Sequence, residues 1–242
     1  MFFLCVPPAI ILFGIAKTGL GGSVSLISIP LMTIVMPLTE ALALILPILI
    51  FSDIIAVYKF RKKFDFPILQ LIVPFAVIGL IIGFLTFSFF SENFLKLFLG
   101  IMGFLFSSHY FLFRSYTISP SKPNFLKGAT CASLAGLTSF CAHAGGTPAS
   151  LYLLPLRLKK EIYVGTRVIF FCIINFFKLP LYIYLSMLDL STFLRSTTLF
   201  PLALAGIYLG YRILELLDEN LFYKIVYVLI LVSSTKLIID YF

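Results

Sequence analysis

Two glycine-rich segments of this chain combine small residues, hydroxyl side chains and one nitrogen base within otherwise apolar sequence. The first carries Lys17, Thr18, Gly21, Gly22 and Ser23. The second carries Ser139, His143, Gly145, Gly146 and Thr147. Glycine allows the backbone to aim its N–H groups inward, and a helix that follows such a break begins with unpaired N–H groups. Two helix N-termini that face each other would favour a small anion, whose charge the lysine would balance.

The composition predicts that both segments lie in a membrane. Of the 242 residues, 61% are hydrophobic and only 12% are charged, which is too apolar for a soluble domain. Because lipid accepts apolar side chains on every face of a helix, we predict an all-α polytopic membrane protein. The net charge of +8 is then attributed to cytoplasmic loops, and no nucleic-acid partner is expected.

Six apolar segments are long enough to cross a bilayer, which takes about 20 residues per helix. They are residues 39–58, 67–88, 93–113, 161–187, 191–212 and 220–241. Two further apolar stretches, 1–36 and 125–157, are interrupted by the glycine-rich segments. The two parts of the first stretch would extend roughly 24 and 21 Å as helices, less than a hydrocarbon core of about 30 Å. We therefore predict that each stretch forms a re-entrant or broken helical hairpin.

The basic loops favour this topology. The cations within residues 59–63 mark the first loop between spans as cytoplasmic. If residues 125–157 crossed the membrane once, the cations within 157–160 would be external, against the positive-inside rule. A hairpin that enters and returns leaves them in the cytoplasm.

The two halves of the chain also repeat. Residues 91–93 read SEN and residues 218–220 read DEN, at an offset of 127. The same offset aligns Pro74 with Pro201, Gly79 with Gly206, and Gly83 with Gly210. We predict two inverted repeats, 1–118 and 119–242, each a hairpin followed by three spans, with a binding site where the breaks meet. The paired glycines, four residues apart, are expected to allow close helix packing.

Other polar side chains lie within the predicted spans. Asp53 could form a salt bridge with Lys17 or carry a coupled proton. Asn175 could bind the substrate or join two helices. His143 could bind the anion, carry a proton or serve in packing. Arg167, near the cytoplasmic start of its span, is expected to snorkel towards the lipid headgroups, with lining the transport path as the alternative.

The four cysteines all lie in apolar sequence without a CxxC pair: Cys5, Cys131, Cys141 and Cys172. Such residues are typically small packing groups, so no metal site and no cofactor are expected. Cys141 is the one exception to consider for chemistry, because it adjoins the second glycine-rich segment.

The segments GIAKTGLGGSVSLISIPL and GLTSFCAHAGGTPASLYLLPL resemble those of the TauE/SafE sulfite exporter family, also called the 4-toluene sulfonate uptake permeases. The resemblance extends to the basic loop, the glycine-spaced span and the short loop before each last helix, so it covers nearly the whole chain. It implies a multi-pass protein of the bacterial plasma (inner) membrane that moves sulfite, sulfonates or related organic anions. It also implies export, coupled to the proton gradient.

Other classes of function stay open. Ser139 and His143 are four residues apart and could form a serine-hydrolase dyad on one helix face, although GxSxG and HExxH motifs are absent. A non-transporting scaffold and a channel are the remaining alternatives. The expected partners are a small anionic substrate and the lipid bilayer, and a homo-oligomer is compatible with the sequence.

Overall fold

The computed structural model describes residues 2–19, 28, 29, 32, 35–89, 91–112 and 121–239. Regular structure in these residues is helical. The α-helices are α1 (Phe2–Thr18), α2 (Leu38–Phe60), α3 (Phe66–Thr86), α4 (Glu92–Leu112), α5 (Phe125–Ala142), α6 (Gly146–Leu153), α7 (Lys160–Tyr184), α8 (Leu190–Thr197), α9 (Phe200–Leu216) and α10 (Glu219–Ile239). Two short 3₁₀ helices, Phe87–Phe89 and Leu154–Leu156, extend α3 and α6. The predicted all-α class is confirmed.

Four of the described helices are long and apolar enough to cross a membrane, namely α2, α3, α7 and α10. The pair α8 and α9 would make a fifth if it is one span. Two shorter apolar helical segments are Cys5–Thr18 in α1 and Leu97–Leu112 in α4. The chain is therefore an integral multi-pass membrane protein.

The segment predicted as one continuous span, 191–212, is a bent pair of helices. The axes of α8 and α9 differ by 50° across a short break. Pro201 lies in the first turn of α9, where a proline fits because the N–H that it lacks would have no partner in the helix. The hydroxyl of Thr198 in the break donates to Arg195 O at 2.7 Å. A new helix thus begins at the proline instead of continuing the old one.

The helices pack in a reciprocal pattern. α1 packs on α9, and α5 packs on α3. If α5 is the counterpart of α1 and α9 that of α3, these two interfaces are the same interface made twice. The two remaining large interfaces, α2 with α7 and α4 with α10, join predicted counterparts directly.

Glycines allow the two counterpart interfaces to close. A Cβ atom added at Gly79 of α3 would lie 1.9 Å from Ser133 O of α5. A Cβ atom at Gly206 of α9 would lie 2.4 Å from Ile11 O of α1. Both distances are far below van der Waals contact, so the backbones touch directly. The predicted packing role of the glycine pairs is confirmed.

We expect Gly79→Val to destabilise the fold by at least about 2 kcal/mol, because the added methyl groups must separate α3 from the backbone of α5. Thermal unfolding of the purified protein in detergent measures the change. Ile78→Val is the matched control, since the neighbouring Ile78 is 50% exposed on the outer surface. Equal unfolding midpoints for the two variants would contradict the close-packing role.

Candidate functional site

The second glycine-rich segment forms the break between α5 and α6. His143 ends α5 in the left-handed conformation, with φ of 49°. The His143 N–H donates to Ser139 O and the Ala144 N–H donates to Thr138 O, both at 3.1 Å. These bonds close the C-terminus of α5, and α6 then begins at Gly146. The break therefore places the last turn of α5 beside the first turn of α6.

A cavity of about 60 Å³ lies where this break meets α1, α2 and α7. A cavity of this volume suits a ligand of a few heavy atoms. Its lining is partly apolar and partly cationic: Phe13, Ala16, Lys17, Leu49, Ser139, His143, Gly146, Arg167, Val168, Phe171 and Asn175.

One polar network joins the end of α1 to α2 and α7. Lys17 Nζ lies 2.5 Å from Asp53 Oδ1 and also donates to Leu49 O at 3.0 Å. Asn175 Nδ2 donates to Asp53 Oδ2 at 2.7 Å. Both carboxylate oxygens of Asp53 are thus engaged. The anticipated Lys17–Asp53 salt bridge is present, and Asn175 both joins two helices and lines the cavity.

A second polar network joins α7 to the end of α5. Lys178, which is fully buried, donates to Ser139 O at 3.0 Å and to Ser139 Oγ at 3.2 Å. Lys178 Nζ also lies 2.7 Å from His143 Nδ1. His143 Nε2 lies 3.1 Å from Leu42 O of α2. A carbonyl oxygen only accepts, so Nε2 carries a hydrogen, and the Nδ1 of a neutral ring then accepts from the lysine.

The contacts of His143 also bear on the hydrolase alternative. With Nε2 on Leu42 O and Nδ1 on Lys178 Nζ, neither ring nitrogen is placed to take a proton from the hydroxyl of Ser139. The Ser139–His143 dyad is therefore not formed in this structure.

Arg167 does not snorkel to the headgroups, and that prediction is wrong. The residue is only 3% exposed. Its Nη1 donates to Ser150 Oγ at 2.6 Å, and to Gly146 O and Tyr163 OH at 3.2 Å each. These acceptors on α6 and α7 draw the guanidinium inward, where hydrogen bonds offset the cost of burying it. Nη2 has no hydrogen-bond partner in the described part of the chain.

Several donors on the cavity-lining side chains have hydrogens that no described acceptor takes up. Nη2 of Arg167 has no partner within the described residues. Lys17 donates one N–H to Leu49 O and forms an ion pair with Asp53, and an ammonium has three N–H groups. Ser139 accepts from Lys178, which leaves its own hydrogen available, and Asn175 uses one of two amide hydrogens on Asp53. Asp53, whose charge would repel an anion, is not part of the lining.

The structure brings together some predicted site residues and not others. Lys17, Ser139, His143, Gly146 and Asn175 line the cavity. Gly21, Gly22 and Ser23 lie outside the described residues. The contribution of the first break to the site therefore stays a prediction.

The other predicted residues pack beside the cavity. The Thr18 hydroxyl donates to Ile207 O of α9 at 2.8 Å. A Cβ atom at Gly145 would lie 2.4 Å from Ala135 O, so this glycine allows the break to approach α5. The Thr147 hydroxyl is buried and has no partner among the described residues, and it is not part of the lining. The Cys141 thiol lies 3.9 Å from Gly83 O, between α5 and α3.

Sequence reasoning missed Arg167 and Lys178 as site residues. A signal for Lys178 was present, because a lysine deep in an apolar span must find polar partners inside the protein. The signal for Arg167 was its place about two helical turns into α7, which suits snorkelling and inward bonding alike. Only the packing of α6 beside α7 shows that the guanidinium bonds inward instead of snorkelling.

Comparison with curated proteins and with solved structures found no match. The family model for the sulfite exporter TauE/SafE matches residues 7–237, nearly the whole chain. The matched region includes every residue that lines the cavity. The chain belongs to the sulfite exporter TauE/SafE family.

Proposed function

We propose that this protein is a secondary transporter that exports small sulfur-containing or organic anions, such as sulfite or sulfonates, coupled to the proton gradient. The observation that carries the proposal is the surplus of unused hydrogen-bond donors around the cavity, led by Nη2 of Arg167. An oxyanion of sulfur presents only acceptors, so it fits donors that the protein leaves without partners. Membership of a transporter family supports the same function.

The cavity also supports a small substrate. Its volume of about 60 Å³ suits an ion with three or four oxygens and at most a short apolar substituent. Phe13, Leu49 and Phe171 provide the apolar part of the cavity lining. A small alkyl group of a sulfonate could lie against that part, whereas an aromatic sulfonate would need the cavity to widen.

The reciprocal helix packing supports alternating access. Transporters built from inverted repeats bind substrate near the midplane and expose it by rocking one helix bundle against another. Here α2 and α7, the proposed counterparts, both reach the cavity through Leu49 and Asn175. A movement between them would open the site first to one side of the membrane and then to the other.

Flux into liposomes tests this function directly. We expect purified protein to carry sulfite and methanesulfonate in a saturable manner, with rates that respond to an imposed pH gradient, while a bulky aromatic sulfonate is slow. Protein-free liposomes give the background leak. A linear, non-saturating flux would indicate a channel. A folded protein that moves none of these anions would overturn the proposal.

A further inference from the structure

The two polar networks are counterparts with exchanged charges. Asp53 in α2 and Lys178 in α7 are 125 residues apart, the same offset that separates Gly21 from Gly146. Each side chain reaches the hairpin helix of its own half, Asp53 through Lys17 and Lys178 through His143. The first network contains a carboxylate and an ammonium, which together are neutral. In the second, the partners of the lysine are a carbonyl, a hydroxyl and an imidazole.

Lys178 therefore has no carboxylate partner at ion-pair distance within the part of the chain that the structure describes. A buried charge without such a partner is costly, and an anion nearby reduces the cost. The cavity lies directly beyond the partners of the lysine, since Ser139 and His143 both line it. An anion in the cavity is placed to compensate the ammonium.

The partners of Lys178 can satisfy the lysine in either protonation state. As an ammonium, it donates its three hydrogens to Ser139 O, Ser139 Oγ and His143 Nδ1. As a neutral amine, it has two hydrogens, which can go to Ser139 O and His143 Nδ1. Its lone pair can then accept from the hydroxyl of Ser139, which rotates freely enough to do so. In both states Lys178 keeps its hydrogen bonds to Ser139 and His143.

This rotation links the proton to the anion. When Lys178 is an ammonium, the oxygen of Ser139 accepts from it and the hydroxyl hydrogen can point into the cavity. When Lys178 is neutral, that hydrogen turns towards Nζ and the cavity loses a donor. The protonated state thus offers the anion both a charge and an additional hydrogen bond.

We propose that Lys178 is the proton-binding group of the transport cycle, and that it takes up a proton when the anion binds, so that both cross the membrane in the same direction and export is driven by the outward concentration gradient of the anion. The inference rests on the proposed function. The step forms one N–H bond at Nζ with a proton taken from the water on the side to which the cavity is open. Release of the anion on the other side returns that proton to the water there.

The other titratable groups around Lys178 are less suited to this role. Asp53 on α2 has both oxygens engaged, by Lys17 of α1 and by Asn175. The thiol of Cys141 on α5 does not line the cavity. His143 on α5 lies between Lys178 and Leu42 O, so it serves as the hydrogen-bond partner through which the proton on the lysine is shared.

The Kd of methanesulfonate, measured by calorimetry on the wild-type protein, tests the proposal without relying on any variant. This probe is preferable to sulfite because its own charge does not change near neutral pH. We expect the wild-type protein to bind it more tightly as pH falls from about pH 8 to about pH 6, with a slope of up to about tenfold in Kd per pH unit. Titration in two buffers of different ionisation enthalpy should show uptake of protons from the buffer.

Two substitutions assign the linked proton to Lys178. Lys178→Arg keeps a permanent cation, so binding should persist and lose its pH dependence. Lys178→Gln removes the cation, so binding should weaken at every pH, again without a slope. Lys224→Arg, on the exposed face of α10, is the matched control and should behave as wild type. Size-exclusion profiles and thermal unfolding check that each variant is folded.

The outcomes separate this inference from the proposed function. If wild-type protein binds and transports the anion with no pH slope and no proton uptake, the proton role is overturned and transport stands. A slope that persists in both Lys178 variants also overturns it and assigns the proton to another group. If the folded wild-type protein neither binds nor moves any of the anions, the proposed function itself fails.

Discussion

Replacing Arg167 with alanine is expected to weaken anion binding roughly 30- to 150-fold, equivalent to about 2 to 3 kcal/mol. The guanidinium is buried, is fixed through Nη1 by Ser150 and Tyr163, and leaves Nη2 without a hydrogen-bond partner among the described residues, on a side chain that lines the cavity. A donor held in this way contributes a charge-assisted hydrogen bond to an oxyanion without having to be ordered on binding. The Kd for sulfite and for methanesulfonate, measured by calorimetry in detergent, gives the size of the loss.

Two further variants define the role of the guanidinium. Arg167→Lys should recover little of the affinity, because a lysine cannot bond to Ser150 with one nitrogen and present another to the cavity. Arg212→Ala is the matched control, since Arg212 is exposed and interacts with Tyr208 and Glu215 on its own helix. Unchanged anion affinity in a folded Arg167→Ala protein would remove Arg167 from the site.

Asp53→Asn is expected to destabilise the protein by about 3 to 5 kcal/mol, because it leaves the ammonium of Lys17 buried without a counter-charge. The substitution also leaves one acceptor oxygen where Lys17 and Asn175 now use two. Thermal unfolding in detergent should show a large fall in Tm, and the yield of folded protein should drop. The paired replacement Lys17→Met with Asp53→Leu should recover much of the stability, since no unpaired charge remains.

Glu40→Gln provides the matched control for Asp53→Asn. Glu40 pairs with Arg195 at 2.9 Å, but the two side chains are 38% and 57% exposed. An exposed ion pair of this kind contributes only about 0 to 1 kcal/mol, so the control should unfold close to wild type. If the Asp53→Asn protein is as stable as this control, the carboxylate is not needed to compensate the buried charge of Lys17.

Composition and apolar length predict the architecture because each spanning helix must be apolar over most of its length, whatever it packs against. The segments predicted at 39–58, 67–88, 161–187 and 220–241 correspond to α2, α3, α7 and α10. The bend between α8 and α9 was missed, since Pro201 can either begin a helix or sit within one. Pro47, Pro74 and Pro180 do lie inside helices, which shows why a proline alone does not predict the break.

The site is less predictable because chemistry depends on which way a side chain faces. Lys17 and Asp53 could be paired from sequence, since opposite charges in an apolar environment are expected to meet. Nothing in the sequence distinguishes the direction of Arg167, which depends on α6 packing beside α7. Thr18 and Thr147 are the opposite case, in which the sequence predicts a site residue that the structure places elsewhere. Both belong to the glycine-rich segments but lie outside the cavity wall.

The exchange of Asp53 and Lys178 has an evolutionary consequence. An ancestor that assembled from two identical copies of one half would have placed two carboxylates, or two lysines, at these counterpart positions of α2 and α7. Like charges buried near each other are unfavourable, whereas the present chain has one of each. In the first predicted repeat the carboxylate is neutralised within its own half, because Asp53 forms an ion pair with Lys17. A copy of that half would therefore supply no free carboxylate to Lys178, whose compensation has to come from outside the two repeats.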